Sequence, residues 1–581
     1  MRHTTAQHRP SHRFSFAFSP NGQWGTCLAL TGHDRLVMEL WQADARLPRL
    51  AWTGERAETT GTQPAPSSTG DVITARNAGD DHHLAVLAPG TGNTEVVVRI
   101  PTPPRVTGVR VIAGHTSGRP GLAIARHEGS FNSIWWVHAP DHRLVHIADV
   151  PGVLKGGVWL SHRDICLTRV MDNAGQAVVL NTGTGTLREC GPPVLGQSEQ
   201  LVVWNATAGE GLALRGRRGE TTLWWWNPHS SRPAERLNRL SGEVRPIAAA
   251  QNGTDFAVVH NKGARSQLLR CTPELDTDPT PVPVEDGAAH PSGAWPTTGL
   301  WFPQSTWDTP LRPVNARERS PRLATGARIV EVAGAAGPLE AVAAGPEPAA
   351  GGRVVLALHG GPESRWRMEH DVFLSRLASR GVGLLALNQR GSTGYGTEHE
   401  QAISHRWAVD DLEDVLHVAR ALRAKGTEIA LYGISYGAFL ALIAAAAEPD
   451  LWSCCLAVAP FSSAPALYDA APPAVQRMID RVGGRTEAKD RLGPRDVLRL
   501  ASRITAPVRI VYGDTDPVIP VSHARALVDS LTATLPDFIY HEVLRGGHHP
   551  LIEQAGAYLV EPCAQFLSEG TRPQTPHEER R

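Results

Sequence analysis

The sequence predicts two domains: an N-terminal β-propeller with seven blades and a C-terminal α/β domain with a doubly wound, mostly parallel sheet. The chain has 581 residues, which exceeds what one hydrophobic core usually serves. From about Phe14 to Asn315 it consists of short β segments broken by turns. From Arg353 onward, apolar strands alternate with helical segments, which is typical of a parallel sheet with helices on both faces.

The β-rich half repeats in blocks of four strands. The first block lies between residues 13 and 52 and contains the hairpin signal Asn21-Gly22. Similar blocks begin near residues 72, 106, 157, 200, 245 and 290, a spacing typical of propeller blades. Because the second and seventh blocks are the least regular, six or eight blades are the alternatives to seven. Tryptophans recur on the third strands, where packing between blades is favoured over a ligand platform.

The change of pattern along the chain predicts the domain boundaries. We expect a propeller over residues 14–320, a linker with two leading strands over 321–352, and the α/β domain over 353–570. The two leading strands, Ala327–Val332 and Leu339–Ala343, form a predicted hairpin before a Gly- and Pro-rich loop. Residues 1–13 and 571–581 are polar, and we expect both segments to be disordered.

The composition excludes several functional classes. The formal net charge is −1 and the basic residues form no block, which argues against a nucleic-acid or anionic-membrane surface. No apolar run reaches a membrane-spanning length, and Met1–Arg13 lacks the apolar core of a signal peptide. Seven cysteines without a CxxC pair predict reduced thiols in a cytoplasmic protein, with no metal site and no cofactor. The sequence does not determine whether the protein forms a homo-oligomer.

The pentapeptide at residues 433–437 has the G-x-S-x-G spacing of a nucleophile elbow. The predicted strand Glu428–Tyr432 precedes it and the predicted helix Ala438–Ala447 follows it, which is the context of that motif in the α/β-hydrolase fold. Glycines on both sides permit a tight turn, so Ser435 projects from the sheet edge. The N–H of Tyr436 then lies near the reaction centre. An ordinary serine in a Gly-lined turn is the alternative.

A serine nucleophile needs a base and an acid that orients it, which follow Ser435 in the order acid, then base, in α/β-hydrolases. The predicted strand Val508–Tyr512 leads into Asp514 and Asp516. The predicted strand Phe538–Val543 leads into His548 and His549. Upstream, the strand that ends at residue 358 leads into the glycine-rich segment 359–362, whose backbone N–H groups suit an oxyanion hole. Turn-forming aspartates and solvated histidines are the alternative interpretation.

Together these segments resemble the prolyl oligopeptidase family of serine peptidases, and most of all its acylaminoacyl-peptidase-like branch. The resemblance covers about residues 340–570 and includes the string R-G-S-T-G-Y-G at 390–396. It implies Ser435 as the nucleophile, Asp516 as the orienting acid and His548 as the base. It further implies oxyanion donors at the backbone N–H groups of Gly361 and Tyr436.

The sequence departs from the family pattern at three places. Ala438 stands where a further glycine is usual, and Asn388-Gln389 replaces a more common acidic or aromatic pair. The single Glu-Glu pair, Glu578-Glu579, lies in the tail, whereas dipeptidyl-peptidase relatives carry such a pair in the propeller to bind a free N-terminus. The lack of a Glu-Glu pair in the propeller weakens a dipeptidyl-peptidase assignment.

The predicted function is a serine peptidase that cleaves short peptides or acyl-aminoacyl compounds through an acyl-enzyme, with the propeller restricting access. One alternative is a hydrolase or acyltransferase that acts on a peptide-like natural product or antibiotic. The other is an inactive scaffold that binds partners. Phe461 and Tyr468, which follow the predicted strand Cys455–Ala459, are candidates for the substrate pocket, and ordinary core packing is the alternative for both.

Overall fold

The computed structural model describes residues 12–31, 35–44, 46–78, 81–89, 94–98, 105–129, 131–138, 143–172, 174–195, 198–217, 220–274, 277–316, 326–347, 352–486, 488 and 490–570. Apart from residues 12 and 13, the two segments predicted to be disordered lie outside these ranges. The chain forms two compact units. The first comprises the described residues up to Asn261, Ser266–Ser305 and those from Pro310 to 316, and the second comprises Lys262–Arg265, Thr306–Thr309 and the described residues from 326 onward.

Seven antiparallel sheets form the first unit, which confirms the seven-bladed propeller. Six sheets have four strands and the seventh has three. The first three blades contain β1 (His12–Phe18), β2 (Trp24–Thr31), β3 (Arg35–Gln42), β4 (Arg49–Thr53); β5 (Thr62–Pro66), β6 (Val72–Ala78), β7 (Asp81–Ala88), β8 (Thr94–Val98); β9 (Val106–Thr116), β10 (Arg119–His127), β11 (Phe131–His138) and β12 (Arg143–Pro151).

The other four blades follow the same order along the chain, with one short helix, α1 (Glu235–Asn238), after the fifth. Their strands are β13 (Val153–Trp159), β14 (Asp164–Met171), β15 (Ala174–Asn181), β16 (Leu187–Leu195); β17 (Ser198–Asn205), β18 (Glu210–Arg217), β19 (Glu220–Trp226), β20 (Ser231–Pro233); β21 (Glu243–Ala249), β22 (Phe256–Lys262), β23 (Arg265–Cys271), β24 (Thr280–Pro281); β25 (Ala288–Ala289), β26 (Trp301–Thr306) and β27 (Thr309–Asn315).

Tryptophans join neighbouring blades. The indole N–H of Trp159 donates to the carbonyl of Ala113 at 2.7 Å, and that of Trp204 donates to Leu160 at 3.1 Å. Trp136, on a third strand, donates to Thr182 of the next blade and packs in a core shared with that blade. Burial of an indole with a satisfied N–H stabilises such an interface. The Trp136 contact agrees with the packing role predicted for tryptophans on third strands.

The second unit is built on an eight-stranded sheet. Its strands are β28 (Ala327–Ala333), β29 (Pro338–Ala344), β30 (Arg353–Leu358), β31 (Gly383–Asn388), β32 (Glu428–Ile434), β33 (Cys454–Val458), β34 (Val508–Gly513) and β35 (Phe538–Val543). The order is β28-β29-β31-β30-β32-β33-β34-β35. The first two strands pair antiparallel and the remaining strands run parallel. The carboxyl ends of β30, β32, β34 and β35 therefore meet at one edge.

Helices cover this sheet, and none in the described part of the chain is long and apolar enough to cross a membrane. They are α2 (Val372–Ser379), α3 (Thr397–Gln401), α4 (Asp410–Ala424), α5 (Tyr436–Ala447), α6 (Ala464–Ala470), α7 (Pro473–Arg481), α8 (Val497–Leu500), α9 (Ser522–Thr534) and α10 (Val560–Glu569), with 3-10 turns at Pro449–Leu451, Ala501–Arg503 and Gln554–Leu559.

The last helix begins later than the sequence predicts. We expected one helix over Ile552–Leu567, but a 3-10 turn occupies Gln554–Leu559 and α10 starts at Val560. Pro562 explains this start, because a proline lacks the N–H that a helix interior needs and is tolerated in the first turn.

The helix after the elbow, α5, is buried along almost its whole length. Its residues 436–446 are all buried, and its sequence is apolar on every side. Ala438 is 0% exposed, so its methyl group is packed in the core. A helix enclosed in this way holds the preceding turn in a fixed position.

Candidate active site

Ser435 occupies a sharp turn between β32 and α5. Its backbone dihedral angles are φ 54° and ψ −119°, a conformation that costs energy in a residue with a side chain. A Cβ atom at Gly433 would overlap the carbonyl of Gly437, and one at Gly437 would overlap the carbonyl of Leu358. Both motif glycines are therefore required by close backbone approach, as the elbow interpretation predicts.

The loops after β34 and β35 bring an acid and a base to this serine. His548 Nε2 lies 3.1 Å from Ser435 Oγ, and His548 Nδ1 lies 2.7 Å from Asp516 Oδ2. The Asp516 side chain is 0% exposed and that of His548 is 13% exposed. The structure thus brings the three residues predicted as nucleophile, acid and base into one hydrogen-bonded chain.

The two alternative residues lie elsewhere. Asp514 is not within hydrogen-bond distance of either histidine ring; its Oδ1 is buried and has no partner among the described residues. His549 is exposed and packs edge-on against His548, with ring centroids 4.8 Å apart. Among the described residues, the His549 ring makes no hydrogen bond to Ser435, whose hydroxyl lies at the His548 ring instead. The geometry therefore favours Asp516 and His548.

Backbone donors hold the acid in place. Asp516 Oδ1 accepts hydrogen bonds from the N–H groups of Val518 at 2.7 Å and Ile519 at 3.0 Å, while Oδ2 faces His548. Three hydrogen bonds fix the orientation of this buried carboxylate. An oriented acid fixes the tautomer of the facing imidazole so that Nε2 is free to accept a proton.

Glu553 holds the loop that carries the base, and the sequence analysis did not identify it. Its carboxylate accepts hydrogen bonds from the N–H groups of Gly547 at 2.6 Å and His549 at 3.1 Å, on both sides of His548. Such charge-assisted bonds are among the stronger ones in proteins. The signal in the sequence was a carboxylate five residues after the histidine. Its backbone contacts could not be predicted, because the conformation of a loop does not follow a repeating sequence pattern.

The backbone beside Ser435 carries the predicted oxyanion donors. A Cβ atom at Gly360 would lie 3.3 Å from the Ser435 Cβ, so the segment after β30 passes directly beside the serine. Gly361 follows with φ 117°, a conformation that favours glycine. Within the described ranges, neither the Gly361 N–H nor the Tyr436 N–H has a hydrogen-bond acceptor. Two free donors beside a nucleophile suit a developing oxyanion.

The first turn of α4 supports one of these donors. Tyr436 Oη donates to Asp411 Oδ2 at 2.6 Å and accepts from the Ala408 N–H at 3.2 Å. Asp411 is 0% exposed, and burial raises its pKa to about 7. A buried network of this kind fixes the Tyr436 side chain and hence the orientation of its backbone. In the sequence, Asp411 is one of several acidic residues at a helix start, and it was not predicted as a site residue.

The same helix supports the segment that carries Gly361. Arg390 donates to Asp414 at 2.9 Å through Nε and also pairs with Asp410, so Arg390 holds its loop. Further along that loop, Ser392 Oγ lies 2.7 Å from the His359 ring, directly before the oxyanion glycines. Asn388, which departs from the family pattern, is buried and uses its amide on Trp366 and Tyr395 rather than on a substrate.

Phe461 and Tyr468 take the places expected from packing. Phe461 is 2% exposed and stacks on Phe439 with ring centroids 4.5 Å apart. Tyr468 donates to Asp480 at 3.2 Å, and the Arg485 guanidinium lies 4.1 Å from its ring centroid. A substrate contact for either residue stays a prediction, and the observed neighbours are those of core and surface packing.

Comparison with known proteins yields one family match and several distant relatives. Residues 367–573 match the sequence model of the prolyl oligopeptidase family. A dipeptidyl peptidase family member 6 of Caenorhabditis elegans is 29% identical over 195 residues, or 32% of this chain and 26% of the relative. An acylamino-acid-releasing enzyme 2 of Oryza sativa subsp. japonica is 29% identical over 192 residues, or 30% of this chain and 25% of the relative. The chain thus spans about a quarter of the length of these relatives.

Solved structures share the fold along nearly the whole chain. A puromycin-hydrolyzing peptidase of Mycobacterium tuberculosis superposes with a TM-score of 0.70 at 17% identity, covering 97% of both chains. An acylaminoacyl peptidase of Pyrococcus horikoshii superposes with a TM-score of 0.71 at 12% identity, covering 98% of this chain and 97% of the other. These likenesses establish the fold: a propeller followed by an α/β-hydrolase domain.

Proposed function

We propose that this chain, which belongs through residues 367–573 to the prolyl oligopeptidase family of serine peptidases, hydrolyses short peptides or acyl-aminoacyl compounds. The proposal assigns Ser435 as nucleophile, His548 as general base and Asp516 as the acid that orients the base. The observation that carries it is the chain of hydrogen bonds at 3.1 and 2.7 Å linking these side chains across three strand ends.

The reaction follows from that arrangement. Ser435 Oγ attacks the scissile carbonyl carbon while its proton passes to His548 Nε2, and the oxyanion accepts hydrogen bonds from the N–H groups of Gly361 and Tyr436. When the C–N bond breaks, the proton on His548 passes to the leaving amine, and an ester to Ser435 remains. Water then attacks the ester with His548 again as the base, which releases the acid and restores Ser435.

The choice of substrate class rests on the relatives and on one absence in the sequence. Relatives of known name include both acylamino-acid-releasing enzymes and dipeptidyl peptidases. The single Glu-Glu pair of this chain lies in its last residues, so a propeller pair that would bind a free N-terminus is lacking. This supports substrates with a blocked N-terminus over free dipeptides. We further propose that the propeller limits substrates to short or unfolded chains.

The experiment is a matched panel of chromogenic amides. N-acetylated and free forms of the same aminoacyl and dipeptidyl p-nitroanilides are compared by kcat/KM, with the Ser435→Ala protein as the control for background hydrolysis. The proposal expects Ser435-dependent turnover and a preference for the acetylated member of each pair. Preference for the free dipeptidyl amides would instead assign a dipeptidyl peptidase. Absence of Ser435-dependent turnover across the panel would favour the inactive-scaffold alternative.

A second candidate function is hydrolysis of a peptide-like antibiotic. It is favoured by the fold shared with the puromycin-hydrolyzing peptidase, since puromycin joins an aminoacyl group to its nucleoside through an amide bond. Adding puromycin to the amide panel separates the two candidates by their kcat/KM values. A cytoplasmic location is also part of the proposal, and it is supported by seven cysteines that are all buried and unbonded.

A further inference from the structure

The propeller contains a large cavity that the proposed function does not use. Its volume is about 640 Å³, within the range of small-molecule pockets. Its wall is formed largely by the first strands of four successive blades, β9, β13, β17 and β21, with adjoining turns. The lining combines small aliphatic residues with several rings, and the described residues that form it include no Asp or Glu side chain. The rings are Phe18, His115, Trp159, His162, Trp204 and Trp295.

Arg110 lies beside this cavity on β9. It stands two residues before Ile112, which lines the cavity, so the two side chains share one face of the strand. Its Nη1 donates to the carbonyl of Gly156, and the next residue, Gly157, also lines the cavity. The guanidinium thus bonds the residue that precedes a lining residue, between the third and fourth blades, and Arg110 itself is not part of the lining.

The guanidinium of Arg110 has no counter-charge among the described residues. Its Nε and Nη2 atoms are buried and have no hydrogen-bond partner in the described part of the chain. Burial lowers its pKa to about 10, and no neighbouring carboxylate opposes that effect. A buried guanidinium normally has an acidic partner, because removing a charge from water without one is costly.

Other arginines of the propeller follow the normal pattern. Arg76 pairs with Glu58 at 2.7 Å, with side-chain exposures of 9% and 3%. Arg13 pairs with Glu39 at 2.7 Å, with exposures of 10% and 3%. The contrast sets Arg110 apart from arginines buried to a similar degree in the same unit. It indicates that the described part of the chain supplies no acidic partner for Arg110.

We propose that the propeller cavity binds a small organic carboxylate, with the carboxylate on Arg110 and the apolar body against the tryptophans. A carboxylate matches the two free N–H groups of a guanidinium in a bidentate pair. Indole faces suit an apolar or aromatic body. A third polar group, His115 Nε2, is buried without a partner among the described residues and can hydrogen-bond the ligand.

Binding requires the guanidinium to turn toward the cavity, since both free nitrogens are shielded from solvent. Gly108 lies two residues before Arg110 on the same face of β9, and no atom lies within 4 Å of the position where its Cβ would be. The strand face next to Arg110 is therefore open on the side of Gly108.

The test uses the full chain with Ser435→Ala, so that the binding measurement does not depend on hydrolysis. N-acetylphenylalanine, its amide and inorganic phosphate are titrated by calorimetry. The proposal expects the acid to bind at least about tenfold more tightly than the amide, which is what one charged hydrogen-bonded pair contributes. Equal binding of acid and amide, phosphate binding as tight as that of the acid, or no binding at all would each overturn it.

Two further variants locate the site. Arg110→Met should abolish the preference for the acid, whereas Arg126→Met, which removes an exposed arginine of the next strand, should keep it. Preference retained in Arg110→Met would place the ligand elsewhere, including in the active site, and overturn the proposal. Because the experiment measures binding to a protein without its nucleophile, failure here leaves the proposed hydrolytic function untouched.

A stability measurement without ligand completes the test. Removing an uncompensated buried charge should leave the Tm of Arg110→Met unchanged or higher, whereas Arg76→Met strands Glu58 and should lower it. If Arg110→Met lowers the Tm as much as Arg76→Met does, Arg110 is a structural residue and the proposal fails.

Discussion

Buried charge is handled differently in the two units. At the end of the α/β sheet, Asp516 is fully buried and all its hydrogen bonds come from the chain, through Val518, Ile519 and His548. In the propeller, the Arg110 guanidinium has one carbonyl partner and two unsatisfied groups. The first arrangement is complete before any substrate arrives, as catalysis by preorganised groups requires. The second becomes complete with a ligand.

The largest expected effect on activity comes from substitutions in the hydrogen-bonded chain of Ser435, His548 and Asp516. Ser435→Ala or His548→Ala should lower kcat by roughly 10⁴ to 10⁶, because nucleophile and base act as one unit. Asp516→Asn should lower kcat on the order of 10⁴. Circular dichroism and Tm should show an intact fold in each variant.

His549→Ala is the matched control for the base. Its ring lies beside His548 without a hydrogen bond to Ser435, so kcat should change little. If His549→Ala is the more damaging histidine substitution, the assignment of the base is wrong.

A smaller effect is expected from the loop that carries the base. Glu553→Gln weakens two hydrogen bonds to the backbone around His548. Misplacement of a catalytic group by about 1 Å costs up to about 10² in rate, so kcat should fall by up to that factor while KM changes little. Glu561→Gln, which removes a carboxylate from the surface pair with Arg376, serves as the control and should keep kcat. An equal loss in both variants would contradict the positioning role.

The buried Asp411 predicts a dependence of stability on pH. Its pKa is raised to about 7 in the folded protein, chiefly by burial, against about 3.9 in an unfolded chain. Below about pH 4 both states bind the proton; between pH 4 and 7 unfolding releases it, so rising pH lowers the stability that Asp411 contributes. Asp411→Asn lacks this titration. The Tm of the variant relative to wild type should therefore rise from pH 4 to 8, and a constant difference would contradict the assignment.

Phe461→Ala should affect stability and leave substrate specificity unchanged. Because its ring stacks on Phe439 in the core, Phe461→Ala should lower the Tm. Buried Phe→Ala changes typically lower the free energy of unfolding by about 3–5 kcal/mol. The ratios of kcat/KM among substrates that differ in the side chain before the scissile bond should stay unchanged. A tenfold or larger change in those ratios would return Phe461 to the substrate pocket.

Local sequence patterns predicted most of the fold and the three central residues of the site, Ser435, Asp516 and His548. Strand β35 was predicted with its observed bounds, and β30 and β34 to within one residue, because short apolar runs between turn signals identify buried strands. The acid and base followed from their positions after such strands, since parallel strands end at one edge. These inferences need only chain order and local chemistry.

Other features depend on contacts that sequence patterns do not contain. Helices α6 and α7 were not predicted. Each has a proline in its first turn, where the missing N–H costs nothing. Glu553 and Asp411 are polar residues whose partners are fixed by loop geometry and by packing of α4 on α5. Arg110 could not be distinguished from a paired arginine, because the absence of a partner is visible only in three dimensions.

The central claim is that Ser435 is a nucleophile activated by His548, and labelling with a fluorophosphonate tests it most directly. The account predicts a single modified peptide that contains Ser435, found by mass spectrometry, and a labelling rate that falls strongly in His548→Ala but not in His549→Ala. The Arg110→Met protein should be labelled at the wild-type rate, because Arg110 lies in the propeller and is not part of the hydrogen-bonded chain at Ser435. Failure of Ser435 to react, or reaction at a serine outside the elbow, would contradict the account.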